Sequence, residues 1–345
     1  CLTKSTMKPR FSVVIPVYNR PAELAELLQS LCEQTFSDFE VIIVDDGSAQ
    51  RSYEIVEGFS TKLRIQYFYK TNEGQGAARN YDFRRATSDY FVVFDSDTLI
   101  PPHYFETLDK WLTHTPLDLF GGNDSAHPTF SDLQRAISYA MTSVFTTGGI
   151  RGRSKNAGGN FEPRSFNMGM TRELFYKTGG YATGGFTKGR LGEDIEFSTR
   201  VLNTNFKVGF VPNTYVYHKR RGNLSEFFKQ VYNFGRVRWG LTRDYPETNW
   251  IKVVHWLPSI FVAGIALTFL AVLIGHPVAV LGMATYTIWA FLIGIFSSIE
   301  QKSLRVGLLS IAAAFVQLSG YGLGFWKEFL VTMKYRLQVF FRQSA

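Results

Sequence analysis

What most constrains this chain is an alternation in its first hundred residues. Four runs of apolar, β-favouring residues, SVVIPV from Ser12, FEVIIV from Phe39, RIQYFY from Arg64 and YFVVF from Tyr90, are each separated from the next by a segment of helical character. The runs are mostly continuous rather than alternating, the pattern of strands covered on both faces. Between them, Pro21 opens a helix to about Glu33 with Leu24, Leu27, Leu28 and Leu31 at helical spacing; a second lies around Tyr53 to Phe59, and a third runs from Ala77 to about Ala86. Strand and helix in turn predict an α/β fold with a mostly parallel, doubly wound sheet. Further strands are expected at Leu117 to Gly122, Val208 to Val211 and Thr214 to Tyr217.

Such sheets collect ligands at the carboxyl ends of their strands. Polar clusters stand after three of them, at Asp45-Asp46, at Asn72 and at Asp95-Ser96-Asp97. In an extended or tightly turned segment residues i and i+2 point the same way, so Asp95 and Asp97 suit one divalent cation or one ribose-diphosphate group. Asp and Ser are also ordinary turn residues, and on this stretch alone both readings stand. Gly192-Glu193-Asp194 opens a helix, where the acids also suit the helix dipole. Val216-Tyr217-His218 delivers a histidine to a strand end. The stretch TTGGIRGRSKNAGGN from Thr146, with Arg151 and Arg153, reads as a loop, either an inert surface loop or one that meets phosphate or acceptor.

Beyond Val253 the composition changes. Val253 to Gly275, Pro277 to Phe296 and Val306 to Trp326 are apolar and near the roughly 20 residues needed to cross a bilayer, so about three transmembrane helices are expected over 253–326. Residues 222–250 read as an amphipathic interfacial helix and linker, with a helix packed on the catalytic domain as the alternative, and 327–345 as a basic amphipathic tail. The turn GHP between the first two runs suits the outer side; SSIEQKSLR between the last two suits the cytoplasm. Three crossings then put the basic tail outside, against the positive-inside tendency. Either the third run is re-entrant, or the basic region before the first sets the orientation; the second is the expectation. The formal charge of +8 has no zinc spacing, basic zipper or RNA-binding signature beside it, so no nucleic-acid partner is expected. Its excess before the first apolar run, from Lys219 to Arg243, favours a membrane surface or a phosphate-bearing ligand. Two cysteines, Cys1 and Cys32, point to a reducing compartment. The polar start CLTKSTMKPR does not read as a signal peptide.

In order and spacing, SVVIPVYNR, VIIVDDGS, NEGQGAARN, FDSDT, NMGMTRELF with GGY, GEDIEFSTR and VYHKRR resemble a family 2 glycosyltransferase of the GT-A fold, over about Lys8 to Arg221 (domain 8–221). The apolar region is similar to that of members acting on lipid-anchored acceptors. The resemblance implies that Pro16 and Tyr18 line a nucleotide pocket with Ser96 nearby, that Asp46 bonds the base edge, and that Asn72 and Arg79 contact base or diphosphate. Asp95 would meet ribose, and Asp97, with His218 as a second protein ligand, would hold Mg2+ or Mn2+. Asp194 would be the general base, supported by Glu193. Arg151, Arg153, Asn167, Arg236 and Arg238 are candidates for acceptor or diphosphate contact.

The expected function is inverting transfer of one sugar from a nucleotide-sugar donor, UDP-linked foremost, to a lipid-linked or glycolipid acceptor. The expected setting is a bacterial inner membrane, with the catalytic domain cytoplasmic and membrane lipids as partners. One departure from the membrane-bound processive members bears on this. They carry Gln-x-x-Arg-Trp, whereas Arg238-Trp239 here follows Gly235. A processive synthase, a scaffold without chemistry and a nucleotidyltransferase are the alternatives. The last is disfavoured, because no Gly-rich basic fingerprint follows the first strand here, only Pro16-Val17-Tyr18-Asn19.

Overall fold

The computed structural model describes residues 8–148, 161–186 and 191–343. In chain order the elements are β1 (Phe11–Val17), α1 (Pro21–Cys32), β2 (Phe39–Asp45), α2 (Tyr53–Glu57), β3 (Ile65–Tyr69), α3 (Gln75–Phe83), β4 (Tyr90–Phe94), β5 (Thr98–Leu99), α4 (Tyr104–His114), β6 (Leu119–Gly121), β7 (Asp124–Ser125), α5 (Asp132–Thr142), α6 (Val144–Thr147), β8 (Asn167–Thr171), α7 (Arg172–Thr178), α8 (Glu193–Leu202), β9 (Val208–Phe210), β10 (Val216–His218), α9 (Leu224–Asp244), α10 (Leu257–Leu273), α11 (Val278–Gln301) and α12 (Leu304–Gln343). They form two compact units, Cys1–Ser125 with Asn160–Lys219, and Ala126–Gly159 with Arg220–Ala345.

The first unit is built on a seven-stranded sheet in the order β3-β2-β1-β4-β8-β6-β9. β1 pairs in parallel with both β2 and β4, and β2 with β3. β8 runs antiparallel between β4 and β6. The continuous apolar runs have the consequence expected of them. Val13, Ile15, Val41, Ile43, Val92 and Phe94 pack on one face of the sheet with Leu24, Leu27, Phe105 and Leu108 of α1 and α4. Val14, Ile42, Phe91 and Val93 pack on the other with Phe83, Leu174, Phe197 and Val201 of α3, α7 and α8. A small second sheet, β5-β10-β7, sets His218 opposite Thr98.

The second unit holds α5, α6 and α9 to α12. Its membership interrupts the contiguous 8–221 span: α5 buries Ile137 and Ala140 with Phe227, Val231, Ile293, Ala313 and Ala314, so its apolar face belongs with the C-terminal helices. α12 runs unbroken through residues 327–343 as one helix. α9 lies against α12, where Tyr232 and Gly235 meet the backbone around Gly324 and Tyr321. Three helical stretches, Val253–Leu273, Val278–Gln301 and Leu304–Arg342, are long and apolar enough to cross a membrane.

Candidate active site

The carboxyl ends of β1, β2 and β3 are stitched together by side chains rather than left open. Asp45, fully buried, accepts from the Ser48 and Ser52 amides at 2.8 and 3.2 Å and from the Tyr67 hydroxyl at 2.7 Å. Asp46 accepts from the Glu73 and Gly74 amides at 3.0 and 2.8 Å and from Lys70 at 3.0 Å. Both strand-end acids therefore shape loops, and Asp46 fixes the entrance to α3. The loops approach so closely that Gly47, at φ +81°, has the Asn72 amide nitrogen 2.8 Å from where a Cβ would stand. The Asn19 amide donates to Ser48 Oγ at 2.8 Å, tying β1's loop to the same corner.

At the end of β4 the chain turns at once. The Thr98 amide and hydroxyl both donate to the Asp95 carbonyl, at 3.1 and 2.8 Å. β5 then pairs with β10, which brings His218 Nε2 to 3.2 Å from Asp97 Oδ1. One ligand atom each from Asp95, Asp97 and His218 lie within 4.8 Å of one another. Two carboxylates and one imidazole, all partly exposed, are a donor set suited to a hard divalent cation. Asp97 Oδ2 is paired with Arg20, a partner that the sequence reading missed. Asp124 Oδ2 lies 4.0 Å from His218 Nδ1, beyond hydrogen-bond reach.

Arg79 departs from its expected role. Its side chain is 0% exposed, with Nη1 donating to Glu193 Oε1 at 2.8 Å and Nη2 to Asp95 Oδ1 at 2.7 Å. A guanidinium so enclosed does not reach base or diphosphate; it bridges α8 to the Asp95 turn. Burial by itself would lower its pKa, but Asp95, Tyr181 and Glu193 more than reverse this and keep it charged. Glu193 Oε1 also accepts from Gln75 at 2.7 Å, while Oε2 has no hydrogen-bond partner among the described residues. Burial pushes the Glu193 carboxyl up, with Arg79 opposing and Asp194 adding. Of the two adjacent acids, Glu193 is 1% exposed and Asp194 19%. Asp194 Oδ2 faces Arg164 Nη1 at 4.0 Å, a second cation that no motif signalled.

Asn167 is also corrected. Its buried carboxamide accepts from Tyr104 at 2.6 Å and donates to the Asn123 and Thr214 carbonyls at 3.1 Å, which leaves it no face for a ligand. Pro16 is half-buried at the end of β1, Tyr18 is exposed and Ser96 is buried. Arg236 of the second unit donates to Glu328 at 3.0 Å, and Arg238 is buried there. Arg151 and Arg153 lie outside the described residues.

Comparison with known proteins bears on the family and the fold. Residues 12–181 match the family described as Glycosyl transferase family 2. The chain is 29% identical over 232 residues to glycosyltransferase GlyA of Streptococcus pneumoniae serotype 4, covering 64% of this chain and 32% of GlyA. It is 34% identical over 116 residues to the uncharacterized glycosyltransferase EpsJ of Bacillus subtilis, 33% of this chain and 34% of that protein. The match thus spans about a third of each relative's length. Among solved structures, the mannosyltransferase PcManGT of Pyrobaculum calidifontis, in complex with GDP-Man and Mn2+, superposes with a TM-score of 0.63 at 19% identity, over 90% of this chain and 88% of that one. The fold is GT-A. Residues 12–181, from β1 through the Asp95-Asp97 turn to Tyr181, belong to glycosyl transferase family 2.

Proposed function

We propose that this protein transfers a single sugar, with inversion, from a nucleotide-sugar donor to an acceptor held at a membrane, most readily a lipid-linked one. The observation that carries this is the convergence of Asp95, Asp97 and His218 to within 4.8 Å at the carboxyl end of the sheet. These residues would hold Mg2+ or Mn2+, and the family fold supports it, PcManGT having been solved with Mn2+. When bound, the cation supplies positive charge against a departing nucleoside diphosphate.

The chain's own residues do the rest. Arg20 draws Asp97 into place, and Arg79 holds Asp95 against Glu193. Asp194, the exposed member of its pair, takes the proton of the acceptor hydroxyl as that oxygen bonds to the anomeric carbon and the bond to diphosphate breaks, its electrons leaving with the diphosphate. Tyr18 and Pro16 border the nucleotide, with Asp46, Asn72 and Ser96 around them. UDP is the first donor to test. The bases preceding α10 favour a cytoplasmic catalytic unit on a bacterial inner membrane.

The test uses full-length protein in detergent with a panel of nucleotide sugars, Mn2+ or chelator, and lipid acceptors. Asp194→Asn should lower transfer by about 10²–10⁴-fold while nucleotide binding persists. Loss of nucleotide binding in the folded variant would sink the role of base. Products elongated beyond one sugar would point instead to a processive synthase.

A further inference from the structure

The course of α12 relative to a membrane follows from the helices that it touches. α9 precedes the first apolar helix and is not one itself, carrying Glu226, Lys229, Arg236, Arg238 and Arg243. It therefore marks the side from which the chain enters. α9 lies along the second half of α12 in the same direction. Val231 meets Gly320, Tyr232 meets Gly324, Arg236 and Arg243 bond both oxygens of Glu328, and Thr332 donates to the Trp239 carbonyl at 3.2 Å. Residues 320–332 thus lie on the entry side.

The first end of α12 is fixed there as well. α5, at 11 residues, is too short to cross. No candidate crossing lies between it and α9 among the described residues. Arg135 of α5 bonds Gln301, and Asp132 meets Arg305 at 3.3 Å. Both ends of the apolar part of α12 are thus bound to helices of one side.

Exposure agrees. Half of α12's apolar stretch is buried within the protein, against 17% for α10 and 11% for α11. Its large exposed apolar residues up to Leu330, namely Leu304, Leu308, Phe315, Leu323, Trp326 and Leu330, stand at intervals that keep a single helix face, and beyond them Val331, Tyr335, Leu337, Phe340 and Phe341 are exposed as well. At 40 residues α12 is ~60 Å long, twice the hydrocarbon thickness, and its stripe does not stop where a crossing would end. α10 and α11 form an antiparallel hairpin, with Tyr286 donating to the Phe261 carbonyl at 3.0 Å and Gly282 against Thr268.

We propose that α10 and α11 alone cross the bilayer, as a hairpin, and that α12 lies in the plane of the membrane on the entry side, its stripe seated in the phosphate-headgroup layer. Lys327, Lys334, Arg336 and Arg342 then stay with the bases of α9, and the conflict with the positive-inside tendency disappears. The arrangement does not depend on the chemistry proposed above.

Single cysteines in a Cys1→Ser, Cys32→Ser background, at Glu247→Cys, His276→Cys and Arg342→Cys, are labelled with an impermeant maleimide in right-side-out and inside-out vesicles. Positions 247 and 342 should label from one face and 276 from the other. Labelling of 342 from the face of 276 would mean three crossings and overturn the proposal; labelling of 276 from the face of 247 would overturn the hairpin. Protease protection of a C-terminal tag on the otherwise unaltered chain reads the same distinction without cysteine variants. A fluorophore at Leu330→Cys should be quenched more by headgroup-level than by tail-end spin-labelled lipid. The reverse order, or no quenching, rules out the in-plane seat.

Discussion

The guanidinium of Arg79 connects two acids that lie far apart in the chain, Asp95 and Glu193. A planar fork with two bonds in different directions is not replaced by the point charge of lysine. Arg79→Lys should therefore raise the Mn2+ concentration for half-maximal transfer and lower the rate at least 10-fold, with little change in the KM for acceptor. Equal loss across all parameters would mark it as a structural residue only. Asp82, one turn further along α3, is buried, and neither of its oxygens has a hydrogen-bond partner among the described residues. Burial holds its carboxyl well above the ordinary carboxylate range, with Arg85 and Arg79 opposing. A folded pKa above the unfolded one gives stability that is fully present below the unfolded value, near ~4, and lost as pH rises through the folded one. Asp82→Asn should flatten that loss in thermal unfolding followed against pH; an unchanged slope would refute it. Neither burial could be read beforehand: in NEGQGAARN an arginine in the first turn of a helix looks like a cation offered to an anion, and only tertiary packing closes it in.

At the scale of elements, the period of the apolar residues made β1 to β4 and α1 to α3 legible, because strands covered on both faces leave a continuous apolar run. The antiparallel β8 was not, since NMGMT offers only two apolar residues, Met168 and Met170, neither of them β-branched or aromatic. Likewise the Asp95-Asp97 turn was legible as a carboxylate pair, but its closure by β10 depends on a hydrogen-bonded register that no local pattern carries. The missing glutamine before Arg238-Trp239 has a physical reason. A Cβ at Gly235 would stand 2.1 Å from the Tyr321 carbonyl oxygen and 2.9 Å from the Phe325 nitrogen. Both are backbone atoms, so α9 and α12 would have to part. Gly235→Gln should cost about 1–3 kcal/mol, seen as a lower unfolding temperature in detergent, rather than confer processivity.

For the whole molecule, the change of composition near Val253 separated apolar from charged sequence correctly, but composition could not show that α5 belongs with the later helices. Its apolar face waits for partners made last. Arg135 and Gln301 are 166 positions apart, and Ile137 and Ala140 are covered by Ala313 and Ala314 of the final helix. A chain ended after Gln301 should expose this face and be recovered as aggregate; a monodisperse, active fragment on size exclusion would contradict that. The same separation sets an order of events. The loop-closure entropy of so distant a contact is met only after both crossings are made, so the second unit folds late and slowly however early its first helix leaves the ribosome. During synthesis, the apolar face of α5 stays without its α12 partners until the last helix has been made.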